Sequence, residues 1–134
     1  HQLCFALHSA SLAMTRLYKP LLDELGLTYP QYLTLLVLWE RDGLTVSELG
    51  ERLFLDSSTL TPLLKRMESQ GLLTRLRDAQ DERRVLIRLT AKGRQLKIPA
   101  GRIPGCILQA VQCDVDEVAA LTGQIRRLRE RLMA

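Results

Sequence analysis

The sequence predicts a mainly α fold carrying one small β-hairpin. Three observations predict it. Apolar residues recur at helical spacing over most of the chain, and three S/T/D-x-x-E/Q patterns mark helix starts. Period-two alternation is confined to one stretch around residues 72–89, split by a polar turn.

Each element follows in order. Leu3 to Leu17 reads as a helix with Leu3, Leu7, Ala10, Met14 and Leu17 on one face. Pro20 is expected to break or kink it, with a short helical piece running on to Gly26, a C′ glycine. Thr28-Tyr29-Pro30-Gln31 is a capping box that opens an apolar helix through Trp39, and Asp42-Gly43 is a turn. Thr45-Val46-Ser47-Glu48 starts a short helix to about Phe54. After a brief turn at Leu55-Asp56, a helix runs from Ser57 to Gln70, capped by Asp56 or a nearby serine and stopped by Gly71; Pro62 costs it one backbone bond.

Leu72–Arg77 and Arg83–Leu89 read as strands joined by the polar turn Asp78–Glu82, with Val85, Ile87 and Leu89 on one face and Arg84, Leu86 and Arg88 on the other. Thr90 caps a helix to about Lys97. Pro99, Gly101, Pro104 and Gly105 punctuate the next segment, and the pattern leaves loop or helix open there. Asp114-Val115-Asp116-Glu117 opens the last helix, where Val118, Leu121, Ile125, Leu128 and Leu132 form a heptad seam that wants a partner helix. Helix, tight turn, helix, then hairpin is the order of a winged helix-turn-helix, here spanning about 28–97, with dimerisation helices at about 1–25 and 98–134.

Composition narrows the function. The net charge is +4, but Ser57–Lys97 holds ten Lys/Arg against four Asp/Glu, so that segment carries +6 and the remainder −2. A basic centre between near-neutral flanks is the footprint of a nucleic-acid module, although a solvated basic face gives the same count. Aromatics are only 4% of the chain, which disfavours a base-stacking or carbohydrate surface. No leader or membrane span is recognised; the longest apolar run, Leu33–Trp39, is too short. Three irregularly spaced cysteines argue against a secreted disulfide framework, so a cytoplasmic location is expected.

The Ser57–Gln70 helix would enter the major groove. Its first turns, with Ser57, Ser58, Thr59 and Thr61, present small hydroxyls that either approach phosphates and base edges or simply cap the helix. Lys65 and Arg66 suit phosphate contacts a turn further on, and Arg75, Arg77 and Arg84 add to the basic hairpin. Arg83 sits at the wing tip, where an arginine suits the narrow minor groove, and Asp81 is spaced to hold its side chain.

Residues 45–93 resemble the MarR family, above all in Asp78-Ala79-Gln80-Asp81-Glu82-Arg83-Arg84 followed by Leu89-Thr90-Ala91-Lys92-Gly93. The resemblance implies a two-fold homodimer held by the terminal helices and bound to a palindromic double-stranded operator. Leu3-Cys4-Phe5-Ala6-Leu7, Leu17-Tyr18-Lys19-Pro20-Leu21, Leu27-Thr28-Tyr29-Pro30-Gln31-Tyr32 and Leu53-Phe54-Leu55-Asp56-Ser57 are similar to its OhrR subgroup, the organic hydroperoxide sensors.

That likeness implies that Cys4 is the peroxide-reactive thiol, hydrogen-bonded by Tyr18 and Tyr29. From the residues alone Cys4 is a helix-start thiol or a packing residue, and the tyrosines are ordinary half-buried ones. Some members resolve the oxidised thiol with a C-terminal cysteine of the other subunit. The matching position falls near Gln109, between Cys106 and Cys113, which would share a face if the segment is helical. Cys106 is favoured because Pro104-Gly105 gives local freedom, with Cys113 the alternative; single-cysteine behaviour stays open.

Competing classes are weaker. A MarR-type repressor answering to a small aromatic ligand would need no thiol. A thiol peroxidase on Cys4 would need turnover; the sequence has no phosphate loop and no Ser/His/Asp arrangement, both histidines, His1 and His8, lying at the N-terminus. Cys4 and His8 at i, i+4 supply two of the four ligands structural zinc wants, so neither metal nor cofactor is expected.

Overall fold

The computed structural model describes residues 2–134, in two compact units that divide after Gly101. His1 lies outside the described residues.

The first unit begins with α1 (Gln2–Asp23), which continues through Pro20 instead of breaking there. Pro20 has no N–H to offer the Arg16 carbonyl, but that loss falls near the helix end and only one turn follows it. The Leu27 N–H then bonds the Leu22 carbonyl at 3.1 Å around Gly26, whose φ is +70°. The expected apolar face of α1 is not core in the single chain: Leu3, Leu7, Ala10 and Met14 are exposed and Leu17 is half-buried.

Next come α2 (Tyr29–Glu40), β1 (Leu44–Thr45), α3 (Val46–Leu53) and α4 (Ser57–Ser69). Both capping boxes form reciprocally, Thr28 with Gln31 and Thr45 with Glu48. The turn between α3 and α4 is tight because Phe54 takes a left-handed conformation (φ 57°) and because residue 50 is glycine. A Cβ on Gly50 would lie 2.9 Å from the Leu55 carbonyl oxygen. Pro62 sits inside α4 without ending it.

The sheet has three strands, one more than the expected hairpin. β2 (Leu73–Arg77) and β3 (Val85–Leu89) pair antiparallel with Arg75 opposite Ile87, and β1 adds to the far side of β3 with Leu44 opposite Ile87, giving the order β1-β3-β2. A two-residue strand leaves no alternation to read; Asp42 anchors it by accepting from the N–H groups of Gly43 (2.8 Å) and Leu89 (3.0 Å). Leu35, Leu38, Leu49, Leu60, Leu64, Met67, Leu73 and Ile87 are fully buried, so α2, α3, α4 and the sheet share one core. Thr90 caps α5 (Ala91–Gln95), and α6 (Lys97–Ala100) ends the unit.

The second unit holds α7 (Ile103–Ala110) and α8 (Val115–Met133). The punctuated segment is therefore largely helical. Pro104 stands in the first turn of α7, where its missing N–H costs nothing, so Pro104-Gly105 begins a helix and gives none of the expected freedom. Asp114 caps α8 by accepting from the Glu117 N–H at 2.8 Å. The heptad residues Leu121, Ile125 and Leu132 are exposed. No helix among the described residues is long and apolar enough to cross a membrane.

Candidate nucleic-acid interface and thiol site

The start of α4 is built by Asp56. Its carboxylate accepts from the Ser58 hydroxyl (2.8 Å) and the Thr59 N–H (2.9 Å), and these bonds, the Ser58 one first, hold its pKa below the ordinary value. Part of the Ser58-Thr59 hydroxyl cluster thus serves capping. Ser57, Ser58 and Thr59 remain exposed, with Thr61 partly so, and Lys65 and Arg66 are exposed on the same helix.

The wing tip is an ordered turn. Asp81 accepts from the Arg83 N–H at 3.1 Å and pairs with its guanidinium at 3.5 Å, while the Arg83 side chain is 93% exposed. The Arg84 N–H bonds the Asp81 carbonyl (3.0 Å), and the Asp78 N–H bonds the Arg84 carbonyl (2.9 Å). Arg77 donates to the Glu82 carbonyl at 2.8 Å, and Arg84 lies 3.9 Å from Asp78. Arg75 does not join Arg83 at the tip: its N–H and its Nε both donate to Glu68, at 3.1 and 3.2 Å. The result is an exposed cationic side chain paired with an acid, on a turn that Arg77 and Arg84 brace.

The thiol region has a different geometry. Cys4 is exposed near the start of α1. Tyr18 lies fourteen residues on along the same helix, about 21 Å away along the axis, so one chain does not bring the two together. Tyr18 does meet Tyr29, with ring centroids 4.9 Å apart, and Tyr32 at 5.7 Å. Beside them Thr15, Leu22, Leu27, Thr28, Tyr29 and Pro30 line an open, largely apolar cleft of about 270 Å³.

Burial, then the neighbouring Tyr29 and Tyr32, pushes the Tyr18 phenol up to about 12 from its ordinary 10.0; burial also raises Tyr29. The phenols therefore stay neutral donors at any physiological pH. Because the folded value is raised, this contribution to stability is complete below pH 10 and is lost as pH rises through about 12. A tyrosinate absorbance titration should show a last step near pH 12 that Tyr18→Phe removes; a Tyr18 step at pH 10 would contradict the burial.

Cys106 sits half-buried on α7. Cys113 does not share its face. α7 ends at Ala110, Gln112 turns left-handed (φ 57°), and the Cys113 thiol donates to the Val111 carbonyl at 3.4 Å in the connection to α8. Among the described residues, no group of three His, Cys, Asp or Glu side chains is placed to hold a metal ion.

Two features escaped the sequence reading. Tyr32 was legible, being three residues after Tyr29 on the same helix face. The Glu68–Arg75 pair was not, since its partners lie on opposite sides of the Gly71 turn.

The model of the family described as "Transcriptional regulator SarA/Rot" matches residues 16–98. The chain is 54% identical over 132 residues to an organic hydroperoxide resistance transcriptional regulator of Bacillus subtilis, covering 98% of this chain and 90% of that protein. Among solved structures it is similar to AbfR of Staphylococcus epidermidis in its reduced, DNA-bound form, with 34% identity, a TM-score of 0.83 and coverage of 99% and 93%. It is also similar to AbfR in a disulfide form, with 35% identity, a TM-score of 0.67 and coverage of 98% and 88%. With the three-stranded wing and the helix-turn-helix already described, these relationships identify the chain as a winged helix-turn-helix transcriptional regulator of the MarR type, in the branch of the organic hydroperoxide resistance regulators.

Proposed function

We propose that this chain is a cytoplasmic repressor that binds a palindromic operator as a homodimer and lets go when an organic hydroperoxide oxidises Cys4. The observation that carries the reading is the wing: Asp81 holds an exposed Arg83 forward beside a recognition helix whose first turn is lined with hydroxyls. Helix α4 takes the major groove, with Ser57, Ser58, Thr59 and Thr61 at its entrance and Lys65 and Arg66 on phosphates. Arg83 takes the minor groove. AbfR, solved in its reduced form bound to DNA, supports DNA binding by this fold.

The dimer reading rests on surfaces a single chain leaves open. Leu3, Phe5, Leu7, Leu12 and Met14 on α1 and Leu121, Ile125 and Leu132 on α8 are all exposed, which a second copy would cover. It also rests on the thiol. Tyr18 and Tyr29 would meet Cys4 from another copy, because α1 separates Cys4 from Tyr18 within one chain and Tyr29 packs on Tyr18.

In that arrangement the neutral phenols donate to the thiolate. The sulfur attacks one peroxide oxygen, the O–O bond breaks, the alkoxide leaves and takes a proton as the alcohol, and Cys4 becomes a sulfenic acid. Condensation with the Cys106 thiol of the other subunit releases water and forms a disulfide. The disulfide form solved for AbfR supports such an end state. Crosslinking moves the two reading heads off the fixed half-site spacing, and the operator is released.

Two experiments test the parts. Arg83→Ala should weaken operator binding by roughly 1–3 kcal/mol in a gel-shift titration; unchanged affinity removes the wing from the account. On non-reducing gels, peroxide should crosslink the wild type and Cys113→Ser into dimers but not Cys106→Ser. Crosslinking of Cys106→Ser would transfer the resolving role to Cys113.

A further inference from the structure

We infer that Glu68 is a positioning residue for DNA binding: its carboxylate clamps the wing strand to the recognition helix and so sets where Arg83 lies relative to α4. The inference rests on the DNA-binding reading above and extends it to a residue that touches no DNA.

The clamp has two halves. Oε2 of Glu68 accepts the Arg75 backbone N–H at 3.1 Å, and Oε1 accepts the Arg75 Nε at 3.2 Å. The first bond holds the strand itself. Around it, the Thr90 N–H bonds the Leu72 carbonyl and the Asp78 N–H bonds the Arg84 carbonyl, so the even-numbered residues of β2 face β3 through their hydrogen bonds. Arg75 is therefore turned outward on the edge strand β2, and Glu68 satisfies an N–H that the sheet cannot. The second bond fixes the carboxylate plane, and the pair is only partly exposed.

The position of Glu68 is otherwise unfavourable. It stands in the last turn of α4, where the helix dipole disfavours an acid, and in a basic segment meant for phosphate. The two charge-assisted bonds to Arg75 offset this and hold its pKa below the ordinary carboxylate value.

From the clamp a line of contacts reaches the tip. Arg75 is two residues from Arg77, Arg77 donates to the Glu82 carbonyl, and Glu82 precedes Arg83. The chain link between α4 and β2 is the turn at Gly71, φ +75°, held by the Gly71 N–H on the Glu68 carbonyl (2.9 Å) and the Thr90 hydroxyl on the Gly71 carbonyl (2.6 Å), and the Glu68 side chain adds a tie beyond it on the strand itself. Helix and wing must meet a major groove and the adjacent minor groove at one fixed offset, and the Glu68 side chain adds to the rigidity that the bonded Gly71 turn gives.

A double-mutant cycle on the DNA upstream of the protein's own gene tests this, by fluorescence anisotropy with melting curves run alongside. Glu68→Ala should weaken binding roughly tenfold in the wild-type background and less than about twofold in Arg83→Ala, because the clamp works through the tip. Glu68→Gln, which can still accept the Arg75 N–H, should recover most of the affinity. If Glu68→Ala fails to fold, Arg75→Met, which keeps the backbone bond, carries the cycle with a smaller loss and the same dependence on Arg83. Equal losses in both backgrounds, or tighter binding on removal of the acid, overturn the clamp alone. A wild type that ignores the DNA, or an Arg83→Ala variant that binds as well as wild type, overturns the underlying reading and the clamp with it.

Discussion

Cys4→Ser should hold operator DNA as tightly as the wild type and keep holding it under an excess of organic hydroperoxide. Cys4 is exposed on α1, outside α4 and the wing, and a serine hydroxyl of nearly the same size can still accept from the phenols, so the DNA-binding elements are left as they are. What it removes is the exposed sulfur proposed to attack the peroxide bond and become a sulfenic acid. The effect is therefore all or nothing: dissociation by peroxide in the wild type, none in the variant. Release of Cys4→Ser by peroxide would end the thiol account. Release by an aromatic ligand irrespective of thiol state would favour a small-molecule-responsive repressor using the cleft beside Tyr29.

Gly93→Ala should be the most damaging of the single substitutions for stability. A Cβ at this position would overlap the Leu72 carbonyl oxygen, and would come within 3.2 Å of the Leu89 side chain. The Leu72 oxygen is backbone, held by the Thr90 N–H at 3.1 Å, so it cannot yield as a flexible side chain would. Gly93 is also a junction. Its N–H donates to the Thr90 hydroxyl that caps α5 (3.1 Å), and its carbonyl accepts the Trp39 indole N–H from α2 (2.9 Å). Moving it disturbs helix, sheet and core at once. The cost should be about 3 kcal/mol or more, a fall of roughly 10 °C in Tm. A variant that melts with the wild type would mean that the approach of α5 to Leu72 is looser than the structure describes.

The features legible in the sequence are those set by near neighbours. Thr28 with Gln31 and Thr45 with Glu48 close their capping boxes over three residues, and both form. The alternation of Val85, Ile87 and Leu89 marks the inner face of β3, where Ile87 and Leu89 are buried. The features that escaped depend on distant partners. β1 exists because Leu44 meets Ile87, and Arg75 is turned to Glu68 instead of the tip. The shared face expected of Cys106 and Cys113 failed at one residue, Gln112, whose left-handed backbone ends the helical register. Pro20 misled in the opposite sense, since α1 tolerates one missing bond near its end. At the thiol site the residues are legible singly, but their meeting is not: Tyr18 lies too far along α1 from Cys4 for one chain to join them.

The most direct test of the central claim is a gel-shift titration on the DNA upstream of the protein's own gene, run reduced, then with an organic hydroperoxide, then with dithiothreitol. Binding by the reduced protein, loss with peroxide and recovery with thiol is the predicted result. Binding that peroxide leaves unchanged would contradict a redox-controlled repressor while leaving the winged helix-turn-helix in place.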